Sequence, residues 1–282
     1  MPRPLHIACL QTRPRATMAE ALSEALPMAE AAVRAGARMI FLPEYCGGLA
    51  SDGARLCPPS APEASHAVLA DLRDFARRTS VWLNIGSIAV DGPDGKVINR
   101  GYMIDAAGGI AGRYDKVHLF DVTLSDTARY RESDTVAPGA RAVVHRTPEA
   151  AIGHTICYDL RFPHLFRTLA QAGADILACP AAFTKLTGEA HWHILNRARA
   201  IENTRFVVSA CAVGEVPGGG ACYGHSLVIG PWGDVLADGM DLPGVVHAQI
   251  DLDDIARAEG RIPSLSHDRP YRLMRQPKGN VA

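Results

Sequence analysis

No stretch of these 282 residues stays apolar long enough to span a bilayer, because a charge, a Gly or a Pro interrupts every long run. Neither sign of charge dominates: 29 Lys and Arg stand against 30 Asp and Glu, for a net charge of −1. The basic footprint of a nucleic-acid binder is missing, so neither nucleic acid nor membrane is expected as a partner. The seven cysteines (Cys9, Cys46, Cys57, Cys157, Cys179, Cys211, Cys222) form no CxxC pair. That argues against a disulfide framework and a zinc ribbon and for a reducing, cytoplasmic setting. The start, "MPRPLHIACLQ", lacks the apolar stretch of a secretory signal. Low-complexity segments and Pro/Ser linkers are absent too, so residues 1–282 are read as one domain ending in a polar arm from about Pro263.

What is present is an alternation of strand-like and helix-like segments in both halves. "LHIACLQ", "RMIFLPE" and "VWLNIGSIAV" read as strands. Thr17 caps an Ala-rich helix to about Ala35, which Pro27 is expected to kink or split. Pro62 opens a second helix, with Val68, Leu69, Leu72, Phe75 and Ala76 on one face. "VINRGYMID" and "AGRYDKVHLF" give a hairpin-rich middle, and residues 121–140 read as a long loop without a period. In the second half, "AAIGHTIC", "DILACPAA", "RFVVSACAV", "GHSLVIG" and "VVHAQIDL" read as strands. Helices start at Pro163 and across "EAHWHILNRARAIENT", the latter with Trp192, Leu195, Ala198 and Ile201 as its repeating face. The pattern predicts an α/β fold with helices outside and mixed sheets inside; two sheets stacked face to face would suit two such halves.

Three apolar strands end in, or carry, a reactive residue: "MIFLPE" ends in Glu44, "RYDKVHLF" carries Lys116 and "AAIGHTIC" ends in Cys157. Sites gather at strand ends in α/β sheets, and a carboxylate, an ammonium and a thiol together would make an acyl-transfer site. The thiolate would be the nucleophile, Glu44 the base, and Lys116 with the Tyr158 N–H the oxyanion donors. Glu132, in "YRES", could orient Lys116 or hold the substrate amide. Each residue also has a plain structural reading. Cys157 could be a small core residue, Glu44 a strand end facing water, Lys116 an exposed lysine and Glu132 a solvated loop charge. Spacing alone leaves both readings open.

"FLPEYCGG", "RYDKVHLFD", "YRESDTVAPG" and "GHTICYDLRFP" together resemble the nitrilase superfamily of carbon–nitrogen hydrolases, and the likeness runs from about residue 5 to about 272. The resemblance implies a four-layer α-β-β-α sandwich and places that family's Glu–Lys–Cys triad on Glu44, Lys116 and Cys157, with a further glutamate at Glu132. It implies a homodimer or larger homo-oligomer paired through helices, and neither cofactor nor metal is called for. "AFTKLTGEAHW" and "YGHSLVIGPWG" are similar to the Nit branch, which hydrolyses the terminal amide of small carboxylate-bearing amides to acid and ammonia through a cysteine thioester. Deaminated glutathione is the expected substrate and omega-amidase action on 2-oxoglutaramate or 2-oxosuccinamate the alternative; a catalytically silent scaffold is the non-enzymatic one. Arg161, Thr184 and Lys185 are candidates for the substrate carboxylate, although Arg161 could instead pair with Asp159.

Other motifs carry less. A Cys–His site would use His154 or His118 and leave Glu44 and Lys116 without a role. His191 and His193, two apart on a helix, point to nearly opposite faces and read as one exposed and one buried histidine rather than a metal pair. Gly218–Gly220 lacks the lysine of a phosphate loop and reads as a turn that could shape a pocket mouth, as could residues 121–131. Cys46 reads as packing.

Overall fold

Successive residues of the central strands point to opposite sides, and here both sides are apolar. In the strand Pro4–Gln11, Ile7 and Cys9 face one cluster while Ala8 and Leu10 face another. In Ile176–Ala178, Ile176 and Ala178 face the first cluster and Leu177 a third. Strands buried on both faces require cover on both faces, which dictates layers. The computed structural model, which describes residues 2–53, 55–124 and 129–274, supplies them.

Of the two large sheets, one has eight strands and the other six. The first runs Val136–Ala137, Val97–Ile104, Trp82–Asp91, Met39–Phe41, Pro4–Gln11, Gly244–Asp251, with Ile110–Asp115 paired to Val97–Ile104 and Ser60–Ala61 paired to Trp82–Asp91. The second runs Val143–Arg146, Ala151–His154, Ile176–Ala178, Phe206–Ser209, Leu227–Ile229, Val235–Asp238. Each has a parallel centre: Pro4–Gln11, Met39–Phe41 and Trp82–Asp91 in one, and Ala151–His154, Ile176–Ala178 and Phe206–Ser209 in the other. Ile7, Phe41 and Met103 of the first sheet pack with Ile152, Phe206 and Val228 of the second, so the sheets stack directly.

Helices α1 (Met18–Arg34) and α2 (Ala67–Thr79) cover the outer face of the first sheet. Helices α3 (Pro163–Gln171) and α4 (Lys185–Asn203) cover that of the second. A four-layer α-β-β-α sandwich results. The buried face of α2 is the expected one: Val68, Leu69, Leu72, Phe75 and Ala76.

Four local expectations are corrected. Pro27 does not split α1, which runs unbroken from its Thr17 capping box. Pro27 is exposed, so water can reach the carbonyl it leaves unbonded. On α4 the buried face is Trp192, Asn196, Arg199, Ala200 and Asn203, and Ile201 lies outward. Steps of three drift around a helix of 3.6 residues per turn, and polar residues sit inside where they find partners: Asn196 Oδ1 accepts from Ser209 Oγ at 2.6 Å and Arg199 donates to the Leu160 carbonyl at 2.8 and 2.9 Å. Residues 121–140 are not one irregular loop, for Asp121–Thr123 pairs with Arg129–Arg131 and a 3-10 turn spans Glu132–Asp134. A fifth helix, α5 (Asp253–Arg261), stands where the sequence pattern marks none. Residues 125–128 of the expected loop and 275–282 of the expected arm lie outside the described residues; Ser264 and Asp268 of the arm bond to Arg167 of α3.

Candidate active site

The parallel strands Met39–Phe41 and Ala151–His154 leave their sheets in similar ways. In one, Glu44 follows three residues after the strand, and the next residue, Tyr45, is left-handed at φ 52°. In the other, Cys157 follows three residues after the strand and is itself left-handed at φ 49°. Such conformations are costly for non-glycine residues and persist only when their surroundings hold them. The Cys157 N–H is held by the Pro180 carbonyl at 2.8 Å, and the Tyr45 N–H donates to Ser87 Oγ at 2.9 Å. Gly86 makes room for the first exit: a Cβ there would stand 2.1 Å from the Leu42 carbonyl oxygen.

Both exits open on one cavity, whose wall includes Glu44, Lys116, Glu132 and Cys157. Lys116 follows the strand Ile110–Asp115 and is buried. Its Nζ donates to Glu44 Oε1 at 2.8 Å and to Glu132 Oε1 and Oε2 at 3.0 and 2.9 Å. Burial opposes the ammonium charge, but Glu132 and Glu44 outweigh it and raise the Lys116 pKa well above the ordinary value. The carboxylates are pinned from other sides as well. Glu44 accepts from Asn99 Nδ2 at 2.9 Å and from the Ala182 N–H at 2.8 Å. Glu132 accepts from the Phe120 N–H at 2.6 Å.

Burial, then the negative charge of Glu44, push the Cys157 thiol well above its usual range, and the pull of Lys116 does not offset them. The resting side chain is therefore a thiol, which needs a base to become a nucleophile. Among the described residues the Tyr158 N–H, in the first turn of the 3-10 segment Cys157–Arg161, has no hydrogen-bond acceptor. Cys46, buried with its pKa pushed up to about 12, packs in the core between the first sheet and its helices.

The structure thus brings Glu44, Lys116, Glu132, Cys157 and Tyr158 together from four separate stretches of chain. Thr184 lines the cavity too, joined to Thr187 by a 2.7 Å hydroxyl contact. Arg161 and Lys185 do not line it. Lys185 points to solvent at the start of α4. Arg161 lies over the Tyr158 and Phe183 rings, at 5.9 and 5.4 Å, and near His191. Nor does Arg161 pair with Asp159, whose carboxylate is taken by the Ile156 N–H, Tyr114 and His118. Sequence reasoning missed Asn99 and the Ala182 N–H. For Asn99 the available signal was a polar residue at a buried strand position; for a backbone N–H there is none.

Gly219 and Gly220 line the cavity, as does Tyr130, so both segments expected at a pocket mouth contribute to the wall. Most remaining wall residues are apolar or aromatic, including Leu49, Phe120, Phe183 and Val216. The cavity measures about 60 Å³. At roughly 10–15 Å³ per water that is room for a few waters, or for a short acyl arm.

The chain and its fold are similar to those of known amidases and nitrilase-superfamily proteins. A deaminated glutathione amidase of Synechocystis sp. is 38% identical over 269 residues, covering 94% of this chain and 98% of that one. The NitFhit protein of C. elegans superposes with a TM-score of 0.86 at 32% identity, over 94% of this chain; this chain spans 65% of that longer protein. A mutant amidase from Nesterenkonia sp., carrying the acetamide moiety of fluoroacetamide on its active-site cysteine, gives a TM-score of 0.74 at 25% identity, over 93% and 95% of the two chains. The carbon-nitrogen hydrolase family model matches residues 6–259. On that match, and on a fold shared with these relatives, the chain is a carbon–nitrogen hydrolase and belongs to the nitrilase superfamily.

Proposed function

We propose that Cys157 is the nucleophile of an amidase, with Glu44 as proton carrier and Lys116 and Glu132 completing the centre. The observation that carries this is the single ammonium of Lys116 held between Glu44 and Glu132 on the wall that also presents Cys157. Glu44 takes the thiol proton as sulfur attacks the amide carbon. The developing oxyanion is met by Lys116 Nζ and the Tyr158 N–H, and Glu44 passes its proton to the leaving nitrogen. A water deprotonated by Glu44 then hydrolyses the thioester. Glu132 fixes Lys116 in place. The acetamide-bearing cysteine of the Nesterenkonia amidase supports a covalent route.

The substrate proposed is deaminated glutathione, as in the names of the relatives. The expected release of ammonia is corrected for this substrate: glutathione carries no primary carboxamide, so the bond cut is a substituted amide and the leaving group is an amine, whereas with 2-oxoglutaramate it would be ammonia. The two substrates share a short acyl arm, which suits a cavity of this size, so discrimination falls to the rest of the wall, which includes Gly219, Gly220 and Tyr130. Apart from Lys116, the described wall offers no cation, which shifts the reception of a substrate carboxylate to Thr184, Thr187 and backbone N–H groups.

The same reading takes residues 1–282 as one hydrolase domain. It pairs two copies through helices, in line with Leu186, Ile194 and Ile201 standing exposed on α4, and places the protein in the cytoplasm, in line with seven free thiols. No helix among the described residues is long and apolar enough to cross a membrane. The test is hydrolysis of deaminated glutathione and 2-oxoglutaramate side by side, following acid, amine and ammonia, with Cys157→Ala as control. Faster turnover of the first, lost in the variant, is expected. Faster turnover of the second makes the protein an omega-amidase, and turnover of neither removes both substrates.

A further inference from the structure

Away from the cavity, side chains from three elements converge on one point. His193 projects from α4, Asp238 ends the strand Val235–Asp238, and His225 lies in the segment between Ala221–Tyr223 and Leu227–Ile229. Asp238 Oδ2 stands 3.0 Å from His193 Nε2 and 3.1 Å from His225 Nδ1. One donor atom from each residue lies within 4.8 Å of the other two, and all three side chains are partly buried. No reading of the amide chemistry uses them.

The surroundings hold the group rigidly. His225 is left-handed at φ 52°, its N–H donates to the Met240 carbonyl at 2.6 Å and its carbonyl accepts from Trp192 Nε1 at 2.7 Å. Tyr223 stacks on the His225 ring at 4.5 Å. The Met240 N–H, at 2.8 Å from Asp238 Oδ1, fixes the carboxylate, whose Oδ1 and Oδ2 both face His225 Nδ1, at 2.9 and 3.1 Å, while Oδ2 also faces His193. Bonds of about 2.0–2.2 Å to a tetrahedral ion set its donor atoms roughly 3.3–3.5 Å apart. The observed oxygen–nitrogen separations need widen only by a few tenths of an ångström.

We propose that His193, His225 and Asp238 bind one divalent transition-metal ion of the zinc class. Two imidazole nitrogens and one carboxylate oxygen are the donors such ions take, and they leave at least one position for water. To coordinate, each ring carries its proton on the nitrogen facing away, so His193 binds through Nε2 and His225 through Nδ1; the protons now shared with Asp238 move to those nitrogens or to solvent. The role that follows is a clamp. α4 begins beside Thr184, which pairs with Cys222, and both line the cavity. Gly188 packs so closely on Tyr223 that a Cβ there would meet the ring at 2.3 Å. An ion joining His193 to His225 and Asp238 would lock α4 against this wall.

The test is titration of the chelator-treated full chain with Co²⁺, read by absorption and calorimetry. Expected are one ion per chain, weak visible bands without thiolate charge transfer, and the same binding in Cys157→Ala. Affinity should fall at least about tenfold in His193→Gln and in Asp238→Asn. Metal should also raise the melting temperature of the wild type more than that of His193→Gln at the same concentration. His193 is a partly exposed helix residue, so this variant keeps the fold and carries the test alone if Asp238→Asn does not. Binding that survives His193→Gln, bands that show thiolate ligation, or no binding at millimolar Co²⁺ would each overturn the proposal.

Discussion

The two strand exits that face each other across the cavity share a geometry but not a means of support. On the first-sheet side Glu44 is gripped by Lys116, Asn99 and the Ala182 N–H. On the second-sheet side the Cys157 backbone is held by the Pro180 carbonyl, and the buried Asp159 accepts from the neighbouring Ile156 N–H. A buried carboxylate is tolerable only when its oxygens are paired, so the charged exit is braced atom by atom. A thiol asks for little, so its exit can leave the sulfur beside Glu44 with no charge partner of its own. Charge is fixed where it must persist, and freedom is kept where a bond must be made.

The largest effects should come from erasing each exit in turn. Cys157→Ala removes the nucleophile and should lower turnover by at least about 10⁴-fold, while the melting temperature barely moves. Lys116→Met strips the ammonium from between two carboxylates. It should cut turnover about 10³-fold and cost about 3–5 kcal/mol in urea unfolding. Adding Glu132→Gln should return much of the stability and none of the turnover, which separates charge balance from catalysis. A full recovery of both would refute the role given to Lys116.

Asp159→Asn probes the backbone brace on the thiol side. It weakens the bonds to Ile156, Tyr114 and His118 and should cost about 1–3 kcal/mol, with kcat falling more than KM rises as Cys157 loses its aim. A further effect, read by pH rather than by substitution, concerns the seam between the halves. His154, from the second sheet, reaches Asn84 and the Gly86 carbonyl of the first, with His145 edge-on to it. Burial pulls their pKa values down, to about 3 for His154 and to about 4 for His145. The unfolded chain would bind these protons near pH 6.5, so their contribution is whole above that pH and drains away as the pH falls towards the folded values. For His145 the loss by pH 4 is on the order of 3 kcal/mol. Urea midpoints measured from pH 7 to pH 4 should fall accordingly, and less steeply in His145→Asn.

The sequence revealed the layers because alternation and helical steps are local signals, and α2 shows the buried face its spacing implied. It revealed Glu44, Lys116 and Cys157 as candidates because each ends or follows an apolar strand. What it hid depended on partners far away in the chain. Arg161 and Asp159 look like an ion pair in a line of letters, yet the fold gives Asp159 to Tyr114 and His118. His193 and His191 invite comparison with each other, although the partner of His193 is Asp238, which also holds His225. Polar residues inside α4 broke its apolar rhythm, and α5 was too short and too charged to announce itself.

The uncharged state of Cys157 also bears on survival in air. Peroxides oxidise thiolates far faster than thiols, and the sulfinic and sulfonic products are lasting damage. In the proposed mechanism the proton leaves as sulfur attacks the amide, so the resting side chain stays in the less reactive thiol form between turnovers. Cys57, exposed on the surface, should then be the first sulfur to oxidise, before Cys157 and before activity declines.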